Sequence, residues 1–450
     1  MPWDGCELWL ADVLGDGGLH GPRRIAGSRD EAVQQPGWSP DGSLHFVSDR
    51  SGWWNLYRWH DGAARPLCPM AAEFGEAPWV FGLATYGFAA AGEIVCVVVR
   101  DGRSTLARLH ADSGRLEPIA LPFSSYGSLA VAGDVALFTA ASPLQPSAVH
   151  RLELATGRLQ TLRRSSGLEV EPAWTSVAEA IRFPGSGGRE THAFFYAPAN
   201  PDLEPLPGEK PPLIVMSHGG PTSRALDAYK PAIQFWTSRG FAVLDVNYGG
   251  STGFGRAYRQ RLDGQWGVVD VDDCALGARF LAQRGDVDGK RLIIRGTSAG
   301  GYTTLAALAF RDTFRGGASL YGIGDLQTLA EDTHKFESRY LDRLVGPWPA
   351  ARDLYRARSP IHHLDGLKCP LILLQGADDK VVPPEQSRRM HAALKARGVP
   401  VAYLEFAGEP HGFRQAANIV RALQAEATFY ARIFGFELAD PGEPLLIDNL

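Results

Sequence analysis

A run of small residues, Gly296-Thr297-Ser298-Ala299-Gly300-Gly301, lies directly between an apolar strand pattern at 292–295 and a helical pattern that opens at Tyr302. A strand that becomes a helix within so few residues needs room where the chain passes itself, and Gly296 and Gly300 supply it. The turn lifts the Ser298 hydroxyl at the carboxyl end of a sheet. Behind it stands a helix N-terminus, which favours a developing negative charge. A glycine-rich helix start with an incidental serine is the plainer reading. The strand–turn–helix setting favours a nucleophile.

The surrounding sequence agrees with such a sheet. From about residue 177, continuous apolar runs at 213–217, 242–246, 292–295, 317–321, 371–375 and 401–406 alternate with amphipathic patterns. The amphipathic stretches lie at 272–284, 302–310, 384–397 and 414–434. Unbroken apolar strands separated by helices predict a parallel sheet covered on both faces. Segments 178–183 and 192–197 read as two opening antiparallel strands, and the polar tail from Ala439 carries no assigned role.

A serine nucleophile needs a base, and the base needs an orienting carboxylate. In α/β-hydrolases, which this half resembles, the chain order is serine, acid, histidine. The loop after strand 371–375 carries Asp378 and Asp379, and spacing alone leaves both open as the acid. The loop after strand 401–406 carries His411 in Ala407-Gly408-Glu409-Pro410-His411-Gly412, the expected base. His362 and His363 stand out of order, His391 falls on a helix pattern where a solvated position is expected, and His334 sits in a charged insertion. Acyl transfer also needs amide donors for an oxyanion. Gly220, in Ser217-His218-Gly219-Gly220-Pro221, and Ala299 are the candidates; a plain turn is the bland reading of the glycine pair.

Before about Trp174 the pattern changes to short strands and turns. In Trp38-Ser39-Pro40-Asp41-Gly42, proline fixes φ, aspartate bonds its own backbone and glycine takes positive φ, so the flanking strands are hairpin partners. Related units span 80–121 and 128–162, and a partial one spans 7–25. A repeat of about 40 residues with four short strands is the pattern of propeller blades, against a meandering β-sandwich. The 45 basic and 50 acidic residues nearly balance, which argues against a nucleic-acid partner. Five widely spaced cysteines read as reduced thiols and give no metal knuckle. No signal peptide and no membrane-spanning run is expected, so the default is a cytoplasmic protein without metal or organic cofactor.

Taken together, the motifs of residues 177–436 resemble the peptidase domain of the prolyl oligopeptidase family, in its acylaminoacyl-peptidase and dipeptidyl-aminopeptidase-like branch. The matching pieces are His218-Gly219-Gly220-Pro221, Asn247-Tyr248-Gly249-Gly250-Ser251-Thr252-Gly253-Phe254-Gly255, Trp266-Gly267 with Asp270, Asp272 and Asp273, the Ser298 turn, the acid loop and Pro410-His411-Gly412. The resemblance implies Asp379 as the acid and Gly220 as an oxyanion donor. It implies an α/β fold with a β-propeller, at 1–175, ahead of an α/β-hydrolase domain at 176–450. The family propeller has about seven blades, and this chain has room for about four. An incomplete propeller leaves open edges that favour a homo-oligomer. The implied activity is hydrolysis of short peptides through Ser298, His411 and Asp379. A carboxylesterase with the same triad and a non-catalytic scaffold are the rivals. The family's exopeptidases bind the substrate amine with propeller acids, a role open to Glu73 and Glu76, although charged loop residues are mostly just solvated.

Overall fold

The computed structural model describes residues 1–89, 92–167 and 171–450. Contacts divide the chain into two units. The first comprises Met1–Glu169, Leu226–Lys230 and Thr252–Arg259, and the second comprises Val170–Ala225, Pro231–Ser251 and Gln260–Leu450.

The first unit holds three four-stranded antiparallel sheets and one two-stranded ladder among the described residues. The strands run Val33–Trp38 to Ala63–Pro66, Tyr86–Phe88 to Leu116–Pro118, and Ser125–Ala132 to Leu159–Arg164, each sheet a meander in chain order. Cys6–Val13 pairs with Leu19–Ser28. This is the partial propeller read from the sequence, with three full blades and one of two strands. Ser39-Pro40-Asp41-Gly42 makes the expected turn: Gly42 takes φ 81° and its amide donates to Ser39 O at 2.9 Å. Val95, Val97, Leu106, Phe123, Phe138 and Leu152 form an apolar core. Late in the chain, Arg256 and Arg259 join this unit. Both guanidinium groups bond Asp49 Oδ2, at 2.5 and 2.6 Å, and the Asp49 side chain is fully buried.

The second unit is an eight-stranded sheet. Its strands are β1 (Glu179–Pro184), β2 (Glu190–Tyr196), β3 (Leu213–Ser217), β4 (Ala242–Asn247), β5 (Leu292–Thr297), β6 (Gly316–Leu320), β7 (Leu371–Gly376) and β8 (Val401–Phe406). The spatial order is β1-β2-β4-β3-β5-β6-β7-β8. The first two strands pair antiparallel, and all pairs from β4 to β8 are parallel. This is the α/β-hydrolase fold. Helices α1 (Pro231–Thr237), α2 (Val269–Arg284), α3 (Ala299–Phe310), α4 (Pro384–Ala396) and α5 (Ala416–Phe434) accompany it. Every residue of β3, β4 and β7 is buried, as unbroken apolar runs require when both faces are covered. Trp236 of α1 and Phe429 and Tyr430 of α5 pack with Ile214, Val243, Ile293 and Ile372.

Register aligns the carboxyl ends. Ser217 stands beside Gly296, Thr297 beside Leu320, and Gly376 beside Phe406. The loops after β3, β5, β7 and β8 therefore open along one edge of the sheet, where ligands of such sheets sit. The tail is not without partners: Asp448 bridges Val401 of β8 and bonds His391 Nε2 at 2.9 Å and Lys395 Nζ at 2.8 Å. His391, expected in solvent, is half-buried on that carboxylate. Among the described residues no helix is long and apolar enough to cross a membrane.

Candidate active site

The Ser298 turn is tight in the way its glycines predict. Ser298 takes φ 55° and ψ −120°, a conformation that costs a non-glycine residue about 1–3 kcal/mol. A methyl group on Gly296 would lie 2.0 Å from Gly300 O, and one on Gly300 would lie 2.0 Å from Ser217 O. Neither position admits a side chain. The Ser298 amide donates to Leu320 O at 3.0 Å, and Tyr302 N closes the first turn of α3 on Ser298 O at 3.0 Å.

Three of the expected side chains meet here. His411 Nε2 lies 2.8 Å from Ser298 Oγ, and its Nδ1 lies 2.7 Å from Asp379 Oδ2. A carboxylate only accepts, so Nδ1 carries the proton and the Nε2 lone pair faces the serine hydroxyl. Asp379 is 4% exposed, and its other oxygen accepts the Val381 and Val382 amides, both at 2.9 Å. Gln375 Nε2 reaches Oδ2 at 3.3 Å. Asp378, the alternative left open by spacing, is exposed and turned to solvent. A hydroxyl, an imidazole and a carboxylate in this series can generate an alkoxide-like nucleophile and return the proton to a leaving group.

The candidate oxyanion donors lie alongside. A methyl group on Gly219 would touch Ser298 Cβ at 3.6 Å, so the loop after β3 runs against the nucleophile. The Gly220 amide makes no hydrogen bond to any described residue. Ala299 follows Ser298 as the first residue of α3.

The two propeller acids are unlike the solvated loop residues expected. Glu73 is 1% exposed, and its two oxygens accept the Trp54 and Gly255 amides at 2.6 and 3.0 Å. Burial pushes its carboxyl up to about 7, with nearby Arg259 pulling the other way. Loop charge predicts exposure only while the loop is open to water, and here the neighbouring backbone closes over it. Glu76 is half-buried.

Other residues at the site went unread in the sequence. Tyr321 packs edge-on to His411 at 4.9 Å. Glu409, two residues before His411, is fully buried; its carboxylate accepts Arg414 N at 2.7 Å, Gln415 N at 2.9 Å and Asn418 Nδ2 at 2.8 Å. Its carbonyl accepts Asp378 N at 3.0 Å, tying the acid loop to the histidine loop. A glutamate among glycine and proline at a strand end was the available signal for Glu409. A lone amide closing the apolar run of β7 was the signal for Gln375.

The prolyl oligopeptidase family model matches residues 228–437. Dipeptidyl aminopeptidase BIII of Pseudoxanthomonas mexicana is 33% identical over 213 residues, which are 46% of this chain and 31% of that protein. The human acylamino-acid-releasing enzyme is 32% identical over 279 residues, 56% of this chain and 37% of that protein. The chain thus spans about a third of the length of these relatives. Among solved structures, a puromycin hydrolase superposes with TM-score 0.94 at 44% identity, covering 99% of this chain and 68% of that one. A puromycin-hydrolyzing peptidase of Mycobacterium tuberculosis gives TM-score 0.96 at 41% identity, covering 100% of this chain and 68% of that one. Identity at this level extends through both units, well beyond the stretch the family model matches, and it makes this chain a member of the prolyl oligopeptidase family.

Proposed function

We propose that this chain is a serine peptidase that hydrolyses short peptides from their amino-terminal end, as an aminopeptidase or an acylaminoacyl- or dipeptidyl-type enzyme. The observation that carries the reading is the bonded series Ser298–His411–Asp379 at 2.8 and 2.7 Å. In this reading Ser298 attacks the scissile carbonyl and His411 takes its proton. Asp379 orients the ring and balances the imidazolium, while the Gly220 and Ala299 amides hold the oxyanion. His411 returns the proton to the leaving amine, and water clears the acyl-enzyme by the same steps in reverse.

The family supports an amide rather than an ester substrate, because its members named here are a dipeptidyl aminopeptidase and an acylamino-acid-releasing enzyme. In this reading residues 1–175 are the propeller domain, residues 176–450 are the peptidase domain, and the site of action is the cytoplasm. The test is hydrolysis at neutral pH of an aminoacyl anilide, its N-acetylated counterpart and a short acyl ester, with Ser298→Ala as control. Anilide turnover that vanishes in the variant is expected, and the free-to-acetylated ratio assigns the type. Turnover of the ester alone would overturn the peptidase reading in favour of a carboxylesterase.

A further inference from the structure

A trans peptide holds its C=O and N–H in one plane and pointing in opposite directions, so fixing one end aims the other. The Gly219–Gly220 bond is trans, and glycines on both sides leave that plane free to turn unless something outside holds it. The holder is at hand. His218 Nδ1 lies 2.9 Å from Gly219 O. A carbonyl only accepts, so Nδ1 carries the proton, and in the neutral ring Nε2 must accept. Ser251 Oγ, fully buried, stands 2.7 Å from Nε2 and donates to it.

The ring itself has little freedom. Tyr248 stacks on it at 4.2 Å and 17°. The Tyr248 hydroxyl lies 3.1 Å from both His218 Nδ1 and His218 O, and 3.3 Å from Pro221 O. Burial pushes that phenol well above its ordinary value, so it remains a donor. The carbonyls of residues 218, 219 and 221 are each held, while the Gly220 amide has no partner among the described residues.

We propose that His218 is a positioning residue: its Nδ1–H grips the Gly219 carbonyl and so aims the Gly220 amide at the reacting oxygen, while Ser251 fixes the tautomer that makes this grip available. The inference rests on the oxyanion role proposed for Gly220. Loss of an oxyanion donor outright costs about 100- to 1000-fold in kcat, and a misaimed donor falls short of that.

The experiment compares the parent with His218→Leu, His218→Asn and Ser251→Ala, each checked for an unchanged melting temperature. The readouts are kcat and KM on the best anilide, and the inhibition constants of a peptidyl boronic acid and of the matching carboxylic acid product. A boronate adduct on Ser298 mimics the tetrahedral oxyanion, and the product does not. His218→Leu is expected to lower kcat at least about 10-fold with KM little changed, and to weaken the boronate but not the product by a similar factor. His218→Asn, which restores a donor near the Nδ1 position, recovers part of the loss. Should the leucine variant fail to fold, Ser251→Ala, which removes one hydroxyl, decides with the same readouts. Unchanged kcat and boronate binding, or equal weakening of boronate and product, overturns the inference. A parent that turns over nothing overturns the peptidase reading and takes the inference with it; an active parent with an unaffected leucine variant overturns the inference alone.

Discussion

Glu409→Gln isolates what the buried carboxylate does for the histidine loop. The side chain keeps its size. Its remaining oxygen can keep the Gln415 and Asn418 donors, and the new NH2 group then faces the Arg414 amide, a donor against a donor. One hydrogen bond to a charged acceptor disappears, worth about 1.5–3 kcal/mol, and an amide loses its partner at a further cost. Arg414 is itself exposed, so water takes up part of that second loss. The net is about 2–4 kcal/mol against the closed loop. His411 sits on this loop, and small misplacements of a general base cost about 100-fold in rate. The expected result is a fall in kcat of about 10-fold or more, slower labelling of Ser298 by a fluorophosphonate, and faster exchange of the Arg414 and Gln415 amides. Burial pushes the Glu409 carboxyl up, but Asn418 and the two amides more than offset it and leave it below its ordinary value. A depressed carboxyl contributes stability above its unfolded pKa and loses it as pH falls through the folded value, so the acid limb of the parent's stability should be shallower in the variant. A variant with kcat within twofold of the parent and unaltered amide exchange would refute the reasoning.

Three further substitutions act away from the catalytic loop. Burial pushes Asp270, which accepts Thr303 Oγ1 at 2.6 Å and the Gly267 amide at 2.7 Å, up to about 6, and Glu73 up to about 7. A raised carboxyl gives its full contribution below the unfolded pKa and loses it as pH rises through the folded one. Asp270→Asn and Glu73→Gln should therefore flatten the decline in stability between about pH 4 and 7 in urea titrations, and a difference from the parent that does not vary with pH would count against both. Arg295 of β5 bonds Glu426 of α5 at 2.7 and 3.1 Å, and the Glu426 side chain is fully buried. Glu426→Gln should cost about 3–5 kcal/mol by calorimetry and the double replacement Arg295→Met with Glu426→Leu should regain most of it; a double variant no more stable than the single one would sink this account.

The sheet and the Ser298 turn were legible because their causes are local. The apolar runs at 213–217 and 401–406 coincide with β3 and β8, and the other strands differ by a residue or two, since a two-faced buried strand must be apolar along its length. The chain order of Ser298, Asp379 and His411 follows from which loops share a sheet edge. Spacing left Asp378 and Asp379 equivalent, because adjacent residues of a loop point in directions that spacing does not encode; the family resemblance implied Asp379, which is the one buried against His411. The burial of Glu73 and the pairing of Arg295 with Glu426 were illegible for a different reason. Each depends on partners far along the chain, 182 residues for Glu73 with Gly255 and 131 for the ion pair. The short helices Leu326–Asp332, Tyr340–Leu344 and Arg352–Arg358 fall in what read only as a charged insertion; at five to seven residues each, they are too brief to show a period.

Arg256 and Arg259 set the order in which this protein can be made. A ribosome that has passed residue 175 has delivered every strand of the three blades and neither of the guanidinium groups that neutralise Asp49. Another 84 residues, from 175 to 259, must follow. At about 5–20 residues per second this takes roughly 4–17 s. Through that interval Asp49 must stay hydrated or bury a lone charge, so the sheets can form early while the Asp49 site is completed only late. A gene cut after residue 175 would leave Asp49 permanently without the two arginines that neutralise it.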